Sequence, residues 1–180
     1  MTAYSVGHGT LSQDDFISEL RDAGVVRLVD IRTAPGSRRH PHFARDSMQT
    51  WLPAEGIAYR WDKRLGGFRR PDPDSPDVVW RNEAFRGYAG HLRSDEAVSA
   101  LQQLAEESRA EPTAFMCSET LWWRCHRRLV ADALVLLHGF RVVHLMPSGA
   151  VTHSPTGGVR VEAGTLRYDV VGGDNPAEGG

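Results

Sequence analysis

The chain has 180 residues, enough for one sizeable domain and short for two. It is 41% hydrophobic and 24% charged, with no run of about 18 or more apolar residues, so a membrane-spanning helix is excluded. The N-terminus lacks the basic and apolar regions of a secretory signal, and a cytoplasmic protein with reduced cysteines is expected.

The net charge of −2 conceals an asymmetry, because residues 32–93 hold 12 Lys and Arg against 7 Asp and Glu. Lys63 is the one lysine; the other basic residues are arginines, whose planar forks suit anions. A nucleic acid is therefore an alternative partner for this region.

In chain order, "AYSVGH" (3–8) is a first strand. A helix follows, with Ser12 as N-cap, Asp15 at N3, Leu11 and Phe16 as a hydrophobic staple and Gly24 as its stop. The β-branched run "VVRLVDI" (25–31) is a strand of the kind buried in a parallel sheet. A short helix over 46–55, limited by Pro53, leads to a third strand, "IAYRW" (57–61). Residues 62–82 are rich in Pro, Asp and Arg without a period, and form a long loop or lid. Residues 83–109 are helical with a break near Ser94. "TAFMC" (113–117) is a fourth strand, Leu121 to His138 a helix stopped by Gly139, and "FRVVHLM" (140–146) a fifth strand. "VRVEA" and "TLRYDV" make a hairpin around Gly164.

This alternation predicts a doubly wound α/β fold: a mostly parallel five-stranded sheet in a Rossmann- or flavodoxin-like three-layer sandwich, with a small C-terminal β-hairpin. Residues 1–171 form the single domain, and 172–180 are expected to be a disordered tail. Such sheets bind ligands at the carboxyl ends of their strands. His8, Asp30, Arg32, Cys117 and Glu119 all fall at those ends.

Cys117, at a strand end before a helix, is placed to gain thiolate character and act as nucleophile, with Glu119 for acid/base work. His8 and Asp30 complete the catalytic set. Arg32, Ser37, Gly66, Gly67, His126 and Arg127 are the substrate-binding candidates. Each has a plainer reading: Asp30 and Arg32 as a structural pair, Ser37 as a turn residue, His126 and Arg127 as helix-end packing. Cys125 reads as a small buried hydrophobe, separate in role from Cys117, and Arg128 as pointing outward. The C-x6-R spacing from Cys117 to Arg124 departs from a phosphatase loop, and C-x7-C matches no common zinc knuckle. Cys117 with His8 is the nearest approach to a metal pair, short of a full ligand set, so no metal is assigned. "LGG" (65–67) has the spacing of neither nucleotide fingerprint, and no cofactor is expected.

The chain resembles the domain-of-unknown-function family 488. The resemblance rests on "SVGHGT" (5–10), "LVDIRTAPGSR" (28–38), "GIAYRW" with "LGG" (56–67), and "CSE" with "CHRRLVA" (117–131). It implies an α/β fold with signature residues at one sheet edge: His8, Asp30, Arg32, Pro35, Ser37, Leu65, Gly66, Gly67, Cys117, Glu119, Cys125, His126 and Arg127. Where the family usually has Gly-His-Ser, this chain has Gly9 and then Thr10 after His8. The resemblance implies no reaction, and gives a weak pointer to DNA repair. The expected function is a small cofactor-independent hydrolase or group transferase with a thiol/carboxylate pocket, acting on a small anionic or nucleotide-like ligand. The alternatives are a nucleic-acid-associated protein and a Cys/His metal-binding protein.

Overall fold

A computed structural model describes residues 1–172. Six strands form one sheet: β1 (Thr2–Gly7), β2 (Arg27–Asp30), β3 (Ala58–Trp61), β4 (Thr113–Cys117), β5 (Arg141–Leu145) and β6 (Val151–Thr152), in the order β3-β2-β4-β1-β5-β6. The first five are parallel; β6 adds antiparallel to β5. The predicted five-stranded sheet is thus extended by one short edge strand. Its two exposed residues, Val151 and Thr152, carry too little alternation to announce a strand. β7 (Val159–Glu162) and β8 (Thr165–Tyr168) form the separate hairpin, turning through Ala163 and Gly164, both at positive φ.

Helices cover both faces, and strand residues alternate between them. Leu28, Ala114 and Met116 pack with Phe16 and Leu20 of α1 (Gln13–Asp22) and Met48 and Leu52 of α2 (Arg45–Ala54). Val29 and Phe115 face the other way, against α3 (Glu83–His91), α4 (Asp95–Ala110), α5 (Arg127–His138) and the hairpin. This period of two is what a strand buried on both faces requires.

The helix punctuation follows from local chemistry. Ser12 accepts from the Asp15 N–H at 3.1 Å, Ser94 from Ala97 N–H at 3.2 Å, and Asn82 caps α3. Gly24 and Gly139 close α1 and α5 with positive φ. One boundary is corrected: residues 121–126 are not the start of α5. Trp122–Arg124 make a 3-10 turn, Cys125 is extended, and the helix begins at Arg127.

The 62–82 segment is tied down at its far end. Asp77 is fully buried, takes both Nη atoms of Arg93 at 2.9 and 2.7 Å, and accepts from the Tyr168 N–H at 3.1 Å. Trp80 is buried among Phe85 and Tyr168. Arg128, expected outside, is also buried, with its Nε donating to Thr156 at 3.0 Å and its guanidinium over Trp80. The cause is the C-terminal segment, which folds back across α5. Of the tail, residues 173–180 lie outside the described residues.

Candidate functional site

β1, β2 and β4 end together, because register pairs Gly7 with Cys117 and Asp30 with Met116. The loops that leave them meet at very short range. A Cβ on Gly7 would stand 1.8 Å from the Glu119 carbonyl oxygen, so only glycine lets the turn after β4 close over the end of β1. Above this junction lies a cavity of about 770 Å³, within the size of small-ligand pockets.

Seven of the ten predicted site residues line it: His8, Arg32, Ser37, Gly67, Cys117, Glu119 and His126. Asp30, Gly66 and Arg127 support it from beneath. Asp30 is fully buried and held by Arg32 through Nε at 2.9 Å and Nη2 at 2.6 Å. Tyr59 donates to the same carboxylate at 2.6 Å. A Cβ on Gly66 would come within 2.9 Å of the Thr33 backbone; one on Gly67 would press on the His126 ring.

Arg127 is fully buried, donating to the carbonyls of Glu119 at 2.6 Å and Thr120 at 3.3 Å and to Ser5 Oγ at 3.3 Å. It anchors the 118–120 turn from behind. Burial lowers its pKa to about 9. Ser37 accepts the His40 N–H at 2.9 Å, a turn contact. Glu119 accepts from the Leu121 N–H at 3.2 Å.

Two imidazoles are neutral here. His8 donates from Nδ1 to the Gly9 carbonyl at 2.9 Å, which leaves Nε2 as an acceptor 3.5 Å from Arg32 Nη1. His126 donates from Nε2 to the Ile31 carbonyl at 2.9 Å, which turns its bare Nδ1 to the Cys125 sulfur at 3.5 Å. Burial lowers both pKa values from 6.5 to about 4.

The cysteine expectation is corrected. Cys117 and Cys125 are not separate reduced thiols; their sulfurs are joined as a disulfide across Cα atoms 7.5 Å apart. The 3-10 turn at 122–124 and the extended Cys125 fold the segment back, so that the second sulfur arrives beneath the end of β4. Reading 121–138 as one helix hides this, because it puts Cys125 on a buried stripe. Cys125 also accepts from the Arg127 N–H at 3.5 Å, at the start of α5. Among the described residues no group of three His, Cys, Asp or Glu is disposed to hold a metal ion.

Sequence reasoning missed Phe68, Phe85 and Tyr88 as lining residues, and took in Arg38 and Arg39 only as part of the basic region 32–93. "SRRHPHF" carried the signal for the arginines, and the positive φ of Phe68 is invisible without coordinates.

The fold and the cavity define a doubly wound α/β protein whose signature residues gather at the carboxyl edge of a parallel sheet. Residues 12–134 match the family described as Domain of unknown function DUF488, and the chain belongs to that family. No curated protein and no solved structure matches it. No helix among the described residues is long and apolar enough to cross a membrane.

Proposed function

We propose that the chain is a thiol-dependent enzyme, a group transferase or hydrolase, acting on a small anionic substrate in the cavity above Cys117 and Cys125. The observation that carries this reading is the convergence of both sulfurs, two neutral imidazoles and the Arg32 guanidinium on one cavity.

The working form is the reduced pair. Cys125 has one donor to its sulfur, the Arg127 N–H at the helix start, and one acceptor for its proton, the bare Nδ1 of His126. His126 takes the thiol proton as the sulfur attacks, and returns it to the leaving group. The group carried on sulfur then moves to water in a hydrolase, or to an acceptor in a transferase. In the resting enzyme Cys117 is joined to Cys125; an external dithiol opens that bond by thiol–disulfide exchange, leaving as its own disulfide and returning both cysteines as thiols. His8 offers its Nε2 as base toward the acceptor, Glu119 serves as a second acid/base group, and Asp30 positions Arg32 for the substrate's negative charge.

The test needs no substrate. After reduction, Cys125 should alkylate with iodoacetamide ahead of Cys117, with an apparent pKa below the free thiol value of about 8.5. Faster alkylation of Cys117, or a normal pKa for Cys125, would overturn the assignment.

A further inference from the structure

The lining of the cavity divides by segment. Residues 32–40 contribute Arg32, Arg38 and Arg39, Arg124 adds a fourth arginine, and residues 67–88 contribute Phe68, Phe85 and Tyr88. We propose that the substrate is a nucleotide, free or at the end of a strand, with its base stacked on Phe68 and its phosphate held by Arg38 and Arg39. This rests on the proposed enzyme site and names its substrate class.

Phe68 carries the argument. It lines the cavity yet is 92% exposed, and it adopts φ 58, a conformation that residues other than glycine rarely take. Its neighbours are clamped. Thr33 Oγ1 donates to the Gly67 carbonyl at 2.9 Å, and the Arg69 carbonyl lies against Gly87 of α3, where a Cβ would be 2.1 Å away. The strained turn between these clamps holds a bare phenyl ring at the cavity, where burying it would be favourable. A flat π-face is the natural partner for such a ring, and Phe85 and Tyr88 extend the aromatic lining.

The cations complete the match. Many of the protein's arginines are committed to carboxylates, as Arg60 is to Glu107 and Arg93 to Asp77. Among the described residues Arg38 and Arg39 have no such partner, and both are exposed at the cavity. Planar forks beside an aromatic platform suit a ligand that carries both a base and a phosphate.

The experiment uses full-length Phe68→Trp protein, titrated with adenosine monophosphate, uridine monophosphate, inorganic phosphate and a 5′-phosphorylated oligodeoxynucleotide. The mononucleotides should quench the indole emission that this substitution adds to the parent's, and inorganic phosphate should not. Phe68→Ala should weaken binding by about tenfold or more. Arg38→Ala with Arg39→Ala should weaken it and flatten its salt dependence. Equal affinity for mononucleotide and oligonucleotide identifies a free nucleotide, and tighter binding of the oligonucleotide a strand end. Absence of nucleotide binding at millimolar concentration, or unchanged binding in Phe68→Ala, overturns the proposal. Cysteine alkylation and nucleotide titration are read separately: nucleotide binding without preferential Cys125 alkylation would sink only the thiol chemistry. Preferential Cys125 alkylation without nucleotide binding would sink only the nucleotide.

Discussion

Arg32 forks onto Asp30, two residues upstream, with two nitrogens on the two carboxylate oxygens, and Tyr59 from the neighbouring strand donates to the same group. The pair is buried, so removing one partner strands the other charge. Asp30→Ala should lower stability by about 3–5 kcal/mol in urea unfolding. Tyr59→Phe removes one hydrogen bond to a charged group and should cost about 1.5–3 kcal/mol. If both variants unfold like the parent, the fork is not a fixed part of the fold.

Gly7 and Gly24 separate two reasons for being glycine. At Gly7 a methyl group has no room against the Glu119 carbonyl, whereas at Gly24 there is open space and only a positive φ of 69. Gly7→Ala should cost about 3 kcal/mol or more. Gly24→Ala should cost only about 1–2 kcal/mol. Chemical denaturation of the two variants measures the contrast directly, and reversed costs would refute it.

Stability should decline in mild acid. Burial, first among the causes, lowers His8 and His126 to about 4 and His144 to about 2. The folded protein therefore leaves these rings neutral, while the unfolded chain takes up protons below about 6.5. Their contribution is fully present above pH 6.5 and is lost as the pH falls toward 4, at up to about 1.4 kcal/mol per histidine per pH unit. His144→Gln should reduce the slope by one proton's share. A flat profile of unfolding free energy between about pH 5 and 7 would contradict the assignment.

The loop that carries Phe68 is anchored through Asp77, which joins it to α4's approach at Arg93 and to the hairpin at Tyr168. Asp77→Ala should cost about 3–5 kcal/mol. It should also open residues 69–80 to limited proteolysis before the rest of the chain. Protease cutting elsewhere first would show that the anchor lies in another contact.

Much of the fold was legible because its signals are local. Ser12 and Ser94 cap helices with their own side chains, and Leu28, Val29, Ala114 and Phe115 sort to two faces by alternation alone. The convergence of His8, Arg32 and Cys117 also followed, because a parallel sheet puts its strand ends on one edge. Val151 and Thr152 were not legible as a strand, since only their partner β5 defines them.

By itself the sequence determined the periodicities, the caps, the mostly parallel sheet and the edge where the chemistry-bearing residues collect. Only the tertiary structure decided that Cys125 meets Cys117, that Arg128 is buried under the returning C-terminal segment, and that Phe68 stands open beside the cavity. The physical reason is range. Helix caps and strand alternation are settled within a few residues, whereas each of these three depends on packing between segments that the chain brings together only when folded.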